Sequence, residues 1–334
     1  MRTNIPEADK ILDLYFPMLD GNGFIALKDY MGGDQSIVQA ARNSYAKGTK
    51  KVSDDRTLIR HLIRSGHTSP IEFVELQFHI RAPLYVIQQW LRHRTSNFCA
   101  ESHRFSEVKD DFQKTDSSLW RLQSKDNKQG SSGYLSEWPE GHTAKDREWN
   151  IGYDNLSQQT VGQYLSNVEN SIHDELSKRY KERLELGVAR EQARKDIPHS
   201  TYSSLYVKSD LHNLLHFITL RCDSHAQEEI RMYANFIAGV IKRVAPITYE
   251  AWLDYKFCAK NFTRLDLEFL NYLTKYWKFT DWDDLKRKYE MFSSTHHLDI
   301  IGLSKREYKE FWEKLIPTEI PNFDLDISKA VEKK

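Results

Sequence analysis

The sequence predicts a protein of mixed helix and strand, and three observations carry that reading. Phe73 to Ile80 (FVELQFHI) alternates apolar and polar residues with period two, as a half-buried strand does. Residues 151–187 place Leu156, Val161, Leu165, Val168, Ile172 and Leu176 at helical spacing. Asp210 to Val244 does the same through Leu211, Leu214, Leu215, Ile218, Ile230, Phe236 and Ile237, so a second long helix is expected there, closed by Pro246.

The remaining elements follow in chain order. Ile25 to Tyr30 reads as a short strand after the Gly21-Asn22-Gly23 turn. Asp34 to Tyr45 reads as a helix through Ile37, Val38, Ala41 and Tyr45. Asp54 is an acidic N-cap, Leu58, Leu62 and Ile63 form the stripe behind it, and Gly66 stops that helix. Pro83 stands where a first helical turn accepts it, and the helix from Leu84 is expected to run to about Arg94. Residues 106–150 are polar and turn-rich (KDNKQGSS, WPEGHTAK) and read as a mobile insertion on the surface. Residues 255–334, rich in aromatics and Lys, read as a helical extension, with helices at Leu267 to Tyr276 and Lys305 to Leu315 and a frayed last dozen residues. Tyr272, Tyr276, Trp277, Phe279 and Trp282 there offer apolar area to bury.

Composition bounds the function. The 334 residues carry 48 Lys plus Arg and 48 Asp plus Glu, a net charge of zero, which argues against a dedicated nucleic-acid surface. With 40% hydrophobic and 12% aromatic residues the chain is no acidic disordered protein. Cys99, Cys222 and Cys258 are too few and too scattered for a disulfide framework or a four-thiolate zinc site. No stretch approaches the roughly 18 apolar residues of a membrane span, and the N-terminus lacks the apolar core of a signal peptide. A cytoplasmic setting without membrane or nucleic-acid partners is the expectation.

Gly21-Asn22-Gly23 lacks the third glycine of a dinucleotide fingerprint and reads as a tight turn. His212 and His216, four apart, permit metal ligation in principle, but no Cys or Glu stands at an obvious ligand position, and no metal is assigned. Gln88 to Arg94 (QQWLRHR) is more informative. Arg92, His93 and Arg94 at a helix C-terminus read either as cations favoured by the helix dipole or as an anion clamp. Ser102-His103-Arg104, Arg194 and Arg221 add further groups of the same chemistry. A guanidinium beside Ile218 and Leu220 is costly to bury unless an anion meets it.

These segments resemble the flavin-dependent thymidylate synthases. The family signature, Arg-His-Arg, seven residues, then Ser, reads here Arg92-His93-Arg94, TSNFCAE, Ser102. Residues 193–234 (ARKDIPHSTYSSLYVKSDLHNLLHFITLRCDSHAQEEIRMYA) contain the LRxDSHAQxEI core at Leu220 to Ile230. Gly66 to Phe73 (GHTSPIEF) is similar to the GHxxPxEH-like segment. The likeness covers about 22–105 and 150–253, and leaves out the insertion and the tail.

The resemblance implies an α+β fold, a small mostly antiparallel sheet packed with long helices, assembled as a homotetramer with active sites between subunits. Residues 1–254 would be the catalytic domain and 255–334 an extension of unknown role. It implies FAD as cofactor, with NADPH and methylenetetrahydrofolate as co-substrates in the reductive methylation of dUMP to dTMP. Gln89, Arg92, Ser102, His103, Arg104 and Arg194 would hold dUMP, mostly at its phosphate, and Arg221 would act at the pyrimidine edge as the catalytic residue. Ser44, His67, Ser69, Arg92, His93, Arg94, Asp210, Leu211, His212 and His216 would contact FAD, with His67 also near the folate.

The chain departs from the pattern in places. Cys99 and Ala100 stand where the family usually carries Asn-Glu, with the acid one residue later at Glu101, and Phe105 replaces a Tyr. Asn97 replaces a Ser, and Asp210 a frequent Asn. A related enzyme with another pyrimidine nucleotide or one-carbon product, such as hydroxymethylation, and a non-catalytic flavin or nucleotide binder are the alternative readings.

Overall fold

The alternating run in the sequence is β3, Glu75–Pro83, the middle strand of a five-stranded antiparallel sheet. The structure, a computed structural model, describes residues 4–43, 54–125, 128–142, 159–276, 304–316 and 318–332. Strands β1 (Phe16–Met18), β2 (Gly23–Met31), β3, β7 (Tyr202–Asp210) and β4 (Asn97–Ala100) lie side by side in that order. β3 and β7 run in continuous register from Glu75 opposite Asp210 to Pro83 opposite Tyr202. β7 was not expected: its SSLYVKS run alternates buried and exposed residues, but two serines on the inner face, Ser203 and Ser209, mask the pattern.

Helix α2, Asp34–Asn43, buries Ile37, Val38 and Ala41, while Tyr45 lies outside the described residues. Helix α3, Asp55–Ser65, starts and stops where its residues dictate. The Asp54 carboxylate accepts from the backbone of Arg56 and Thr57, and Gly66 closes the helix in the left-handed region at φ 71°. Helix α4, Leu84–Trp90, is shorter than expected and leaves Arg92 to Arg94 in the turn beyond it.

The expected single helix from Asp210 to Val244 is two helices. Asp210 ends β7 and caps α7, Leu211–Arg221, and α8 runs from Glu228 to Val244. The polar DSHAQ run breaks the helix. The Asp223 carboxylate accepts from the His225 backbone, and Arg231 donates to the Ser224 and Ala226 carbonyls, so backbone groups are satisfied outside a helix. The apolar positions predicted for this stretch are all buried. Trp90 of α4 stacks on Phe217 of α7 at 4.9 Å and meets Tyr233 of α8 edge-on at 5.8 Å. This three-helix contact fixes the turn that follows α4.

Helix α5, Val161–Glu185, opens on a Thr160–Gln163 capping box. The expected start at 151 and Leu156 lie outside the described residues. The insertion holds a two-stranded sheet, β5 (Arg121–Gln123) with β6 (Ser131–Tyr134), and its first part is tied to the sheet and to α5. Gln113 donates its backbone N–H to the Ser200 carbonyl at 2.9 Å, Thr115 bonds Glu169, and Trp120 Nε1 donates to Ser166 Oγ at 3.0 Å. The surface loop expected there is a bonded element.

The chain divides into two compact units, Met1–Ala251 with Phe323–Lys334, and Trp252–Asn322. The last residues, expected to fray and to belong with the extension, join the first unit, where Tyr15 and Val331 exchange backbone hydrogen bonds. In the second unit α10 (Arg264–Tyr276) and α11 (Lys305–Leu315) pack through Phe269, Leu273, Tyr308 and Phe311. Tyr272 packs against that cluster, whereas the Tyr276 side chain, Trp277, Phe279 and Trp282 lie outside the described residues. Among the described residues no helix is long and apolar enough to cross a membrane.

Candidate active site

The turn after α4 is built on a buried anchor. Trp90 is 2% exposed, and its carbonyl accepts the backbone N–H of His93 at 2.9 Å. Three residues on, Ser96 Oγ donates to Ser209 Oγ of β7 at 3.0 Å, which pins the far side of the turn. Arg92 and Arg94 are therefore exposed, while His93 is half-buried against Phe217, ring to ring at 4.8 Å, with His216 at 6.3 Å. Arg221, the last residue of α7, donates from Nε to His93 Nε2 at 3.1 Å.

That bond requires an unprotonated Nε2 on His93. Burial, with the nearby Arg221 and His216, holds the His93 pKa down to about 4. Burial also lowers the Arg221 guanidinium from its ordinary value. Among the described residues Arg92, Arg94, Arg194 and Arg221 meet no carboxylate. A guanidinium half-buried against a neutral imidazole, without a counter-charge, is a group suited to meet an anion.

A second group lies past β4. The strand pairs with β7 so that Ala100 is opposite Leu205, and Glu101 donates its backbone N–H to the Ser204 carbonyl at 2.8 Å. The chain then turns, Phe105 and Ser106 both donating to the Ser102 carbonyl. His103 is 6% exposed, and neither ring nitrogen has a hydrogen-bond partner among the described residues. Its pKa is lowered chiefly by burial and further by the Arg194 charge, against the pull of Glu101. Arg104 pairs with Glu191 at 2.9 Å on the surface. A buried imidazole with both nitrogens unpartnered is a group whose hydrogen bonds call for an explanation.

The other predicted residues separate into distinct settings. Gln89 donates its side-chain amide to Gln227, a residue that sequence reasoning did not single out. His67 and Ser69 are exposed in the turn after Gly66, with His67 5.9 Å from the His61 ring. His212 is half-buried in the first turn of α7. Asp210 accepts from the Asn213 backbone at 2.9 Å and its amide at 2.6 Å, and buried Leu211 donates its N–H to the Val74 carbonyl at 2.7 Å, so both serve the packing of α7. Ser44 lies outside the described residues. The structure thus brings His93, His216 and Arg221 together, and sets His103, with the charges of Glu101 and Arg194 acting on it, as a second group. The two groups flank β4, four residues at about 3.3 Å each. Among the described residues no cluster of His, Cys, Asp or Glu is placed to hold a metal ion.

Residues 26–247 match the family model of the thymidylate synthase complementing proteins. The flavin-dependent thymidylate synthase of Wolbachia pipientis wMel is 39% identical over 274 residues, covering 82% of this chain and 88% of that one. This chain belongs to the flavin-dependent thymidylate synthases. The family member of Dictyostelium discoideum is 42% identical over 255 residues, 74% of this chain and 77% of its own. Among solved structures, the UMP/dUMP methylase PolB from Streptomyces cacaoi, bound with 5-Br UMP, superposes with a TM-score of 0.58 at 29% identity, covering 73% of this chain and 99% of that one. In this flavin-dependent thymidylate synthase, the Arg-His-Arg turn and the end of α7 both fall inside the matched region.

Proposed function

We propose that the chain methylates dUMP at C5 to give dTMP in the cytoplasm, with methylenetetrahydrofolate as one-carbon donor, NADPH as reductant and FAD as cofactor. The observation that carries this is the Arg221 guanidinium, half-buried without a carboxylate and bonded to a histidine kept neutral by burial, at the turn that carries Arg92 and Arg94. Ser102, His103, Arg104 and Arg194 grip the nucleotide phosphate, with Gln89 as a further polar contact. In a partly desolvated site such charge-assisted bonds are strong.

Arg221 stands at the pyrimidine edge. A cation there favours the ring carrying negative charge, which raises the nucleophilicity of C5 toward the one-carbon donor. His93 holds that guanidinium from behind without competing for its charge. Arg92 and Arg94, exposed and without carboxylates among the described residues, would hold the diphosphate of FAD, and Ser44, His67, Ser69, His93, Asp210, Leu211, His212 and His216 are assigned its other contacts. When bound, FAD supplies the hydride that completes the methyl group. A homotetramer in which subunits share each site is part of this reading. Residues 1–254 are assigned the catalysis, and no role is assigned to 255–334.

A second reading, methylation of the ribonucleotide UMP, is favoured by the UMP/dUMP methylase likeness and by Cys99-Ala100 in place of Asn-Glu beside the base. Product mass spectrometry with dUMP, UMP and dCMP, each with methylenetetrahydrofolate, NADPH and FAD, decides. dTMP from dUMP alone supports the first reading. A methylated UMP product transfers it to the second, and no product from any nucleotide contradicts both.

A further inference from the structure

Arg121, at the start of β5, ties the insertion to the first turn of α8. Its Nη1 donates to Glu228 Oε2 at 2.8 Å and its Nη2 to Glu229 Oε1 at 2.5 Å. Glu228 and Glu229 form the first turn of α8, and Glu229, its side chain 14% exposed, keeps its other oxygen without a partner among the described residues. A carboxylate so far from water is costly unless a cation meets it, and a forked guanidinium can meet two at once.

The residue before this pair is Gln227, the N-cap of α8. Its side chain makes no cap bond and instead accepts from the Gln89 amide. Arg121 is held from behind. The Trp120 indole donates to Ser166, Ser166 donates to the Thr115 carbonyl at 2.7 Å, and the Trp120 carbonyl accepts from the Leu135 backbone at 2.7 Å. Where Ser117 crosses α5, its carbonyl lies against Gly162 at an approach no Cβ would allow. The arm carrying Arg121 is thus fixed to α5 at one end and to α8 at the other.

We propose that Arg121 is a positioning residue: through Glu228 and Glu229 it sets the start of α8, and so holds Gln227 on Gln89, the amide assigned to the nucleotide. This rests on the nucleotide reading of Gln89. Without Arg121 two adjacent carboxylates lose their shared cation, the first turn of α8 shifts, and Gln89 loses the partner that orients it. Arg221 keeps its bond to His93, which lies outside this chain of contacts, so the chemical step is spared.

The test is a double-mutant cycle on the full-length, FAD-loaded enzyme. Arg121→Ala raises the dUMP KM about tenfold with kcat nearly unchanged, Gln227→Ala does the same, and the double variant is no worse than either alone, because one orientation is lost once. Arg121→Lys, which keeps the charge but not the fork, recovers part of the KM and serves in the same cycle if Arg121→Ala is insoluble. A wild-type KM in both Arg121 variants, or losses that multiply in the double variant, would overturn the proposal. The wild-type arm is read first, as the change in flavin absorption on adding dUMP. No change there contradicts the nucleotide reading, and this inference with it, whereas a normal change with an unaffected Arg121→Ala contradicts this inference alone.

Discussion

Arg221 and His93, 128 positions apart in sequence, are joined by a 3.1 Å hydrogen bond in which the guanidinium donates and the imidazole accepts. The bond explains how a cation is kept half-buried without a carboxylate. A carboxylate partner would neutralise it, whereas a neutral imidazole orients it and leaves its charge available to a ligand. The ends of α4 and α7 meet through this pair, which places the expected catalytic residue against the family signature.

Arg221→Ala therefore acts on turnover more than on binding. Loss of a preorganised cation at the reacting ring lowers kcat by about a hundredfold or more, while the phosphate contacts keep nucleotide binding near wild type. Steady-state kinetics beside a binding titration check this, and an unchanged kcat would refute the ring-activating role.

His93 carries a pH signature. Its ordinary pKa of 6.5 falls to about 4 in the fold, so above about pH 6.5 both folded and unfolded chains hold it neutral and its stabilising contribution is complete. As pH falls toward 4 the unfolded chain takes up the proton first, and that stability is lost. His103 and His173, also lowered chiefly by burial, act in the same direction. Denaturant unfolding at about pH 7 and about pH 5 should show a larger loss for wild type than for His93→Gln. Equal losses would mean that His93 is not held neutral.

Ser102→Ala and Arg194→Ala act on substrate capture. Each removes a charge-assisted bond to the phosphate, worth about 1.5–3 kcal/mol, and should raise the dUMP KM accordingly with a smaller change in kcat. A fall in kcat at constant KM would move these residues away from the phosphate.

Gly162→Ala tests the seating of the insertion. A Cβ there collides with the Ser117 carbonyl, and the overpacking should destabilise the first unit by about 1–3 kcal/mol. Thermal unfolding reads the loss, and hydrogen exchange should rise in residues 113–121. Unchanged protection there would show that this arm is not held by α5.

Local signals in the sequence reached some of these features and not others. Asp54 and Gly66 bound α3 because capping is decided within a few residues, and Arg92-His93-Arg94 announced itself as a cluster in sequence. The division of 210–244 was hidden because apolar spacing continues in phase on both sides of DSHAQ, while the break depends on Asp223 and Arg231 satisfying the backbone there. Arg121 carried no signal at all. It lies in a polar stretch without periodicity, and its partners Glu228 and Glu229 are more than a hundred residues away. The effect of the Arg194 charge on buried His103 was likewise visible only as two basic-capable residues in separate motifs.

The central claim is most directly tested by tritium release from dUMP labelled at C5, with methylenetetrahydrofolate, NADPH and FAD. Methylation at that carbon displaces the label into water, so the wild-type chain should release tritium in step with dTMP formed, and Arg221→Ala should release almost none. Flavin demonstrably bound, with no release above an enzyme-free control, would contradict the assignment.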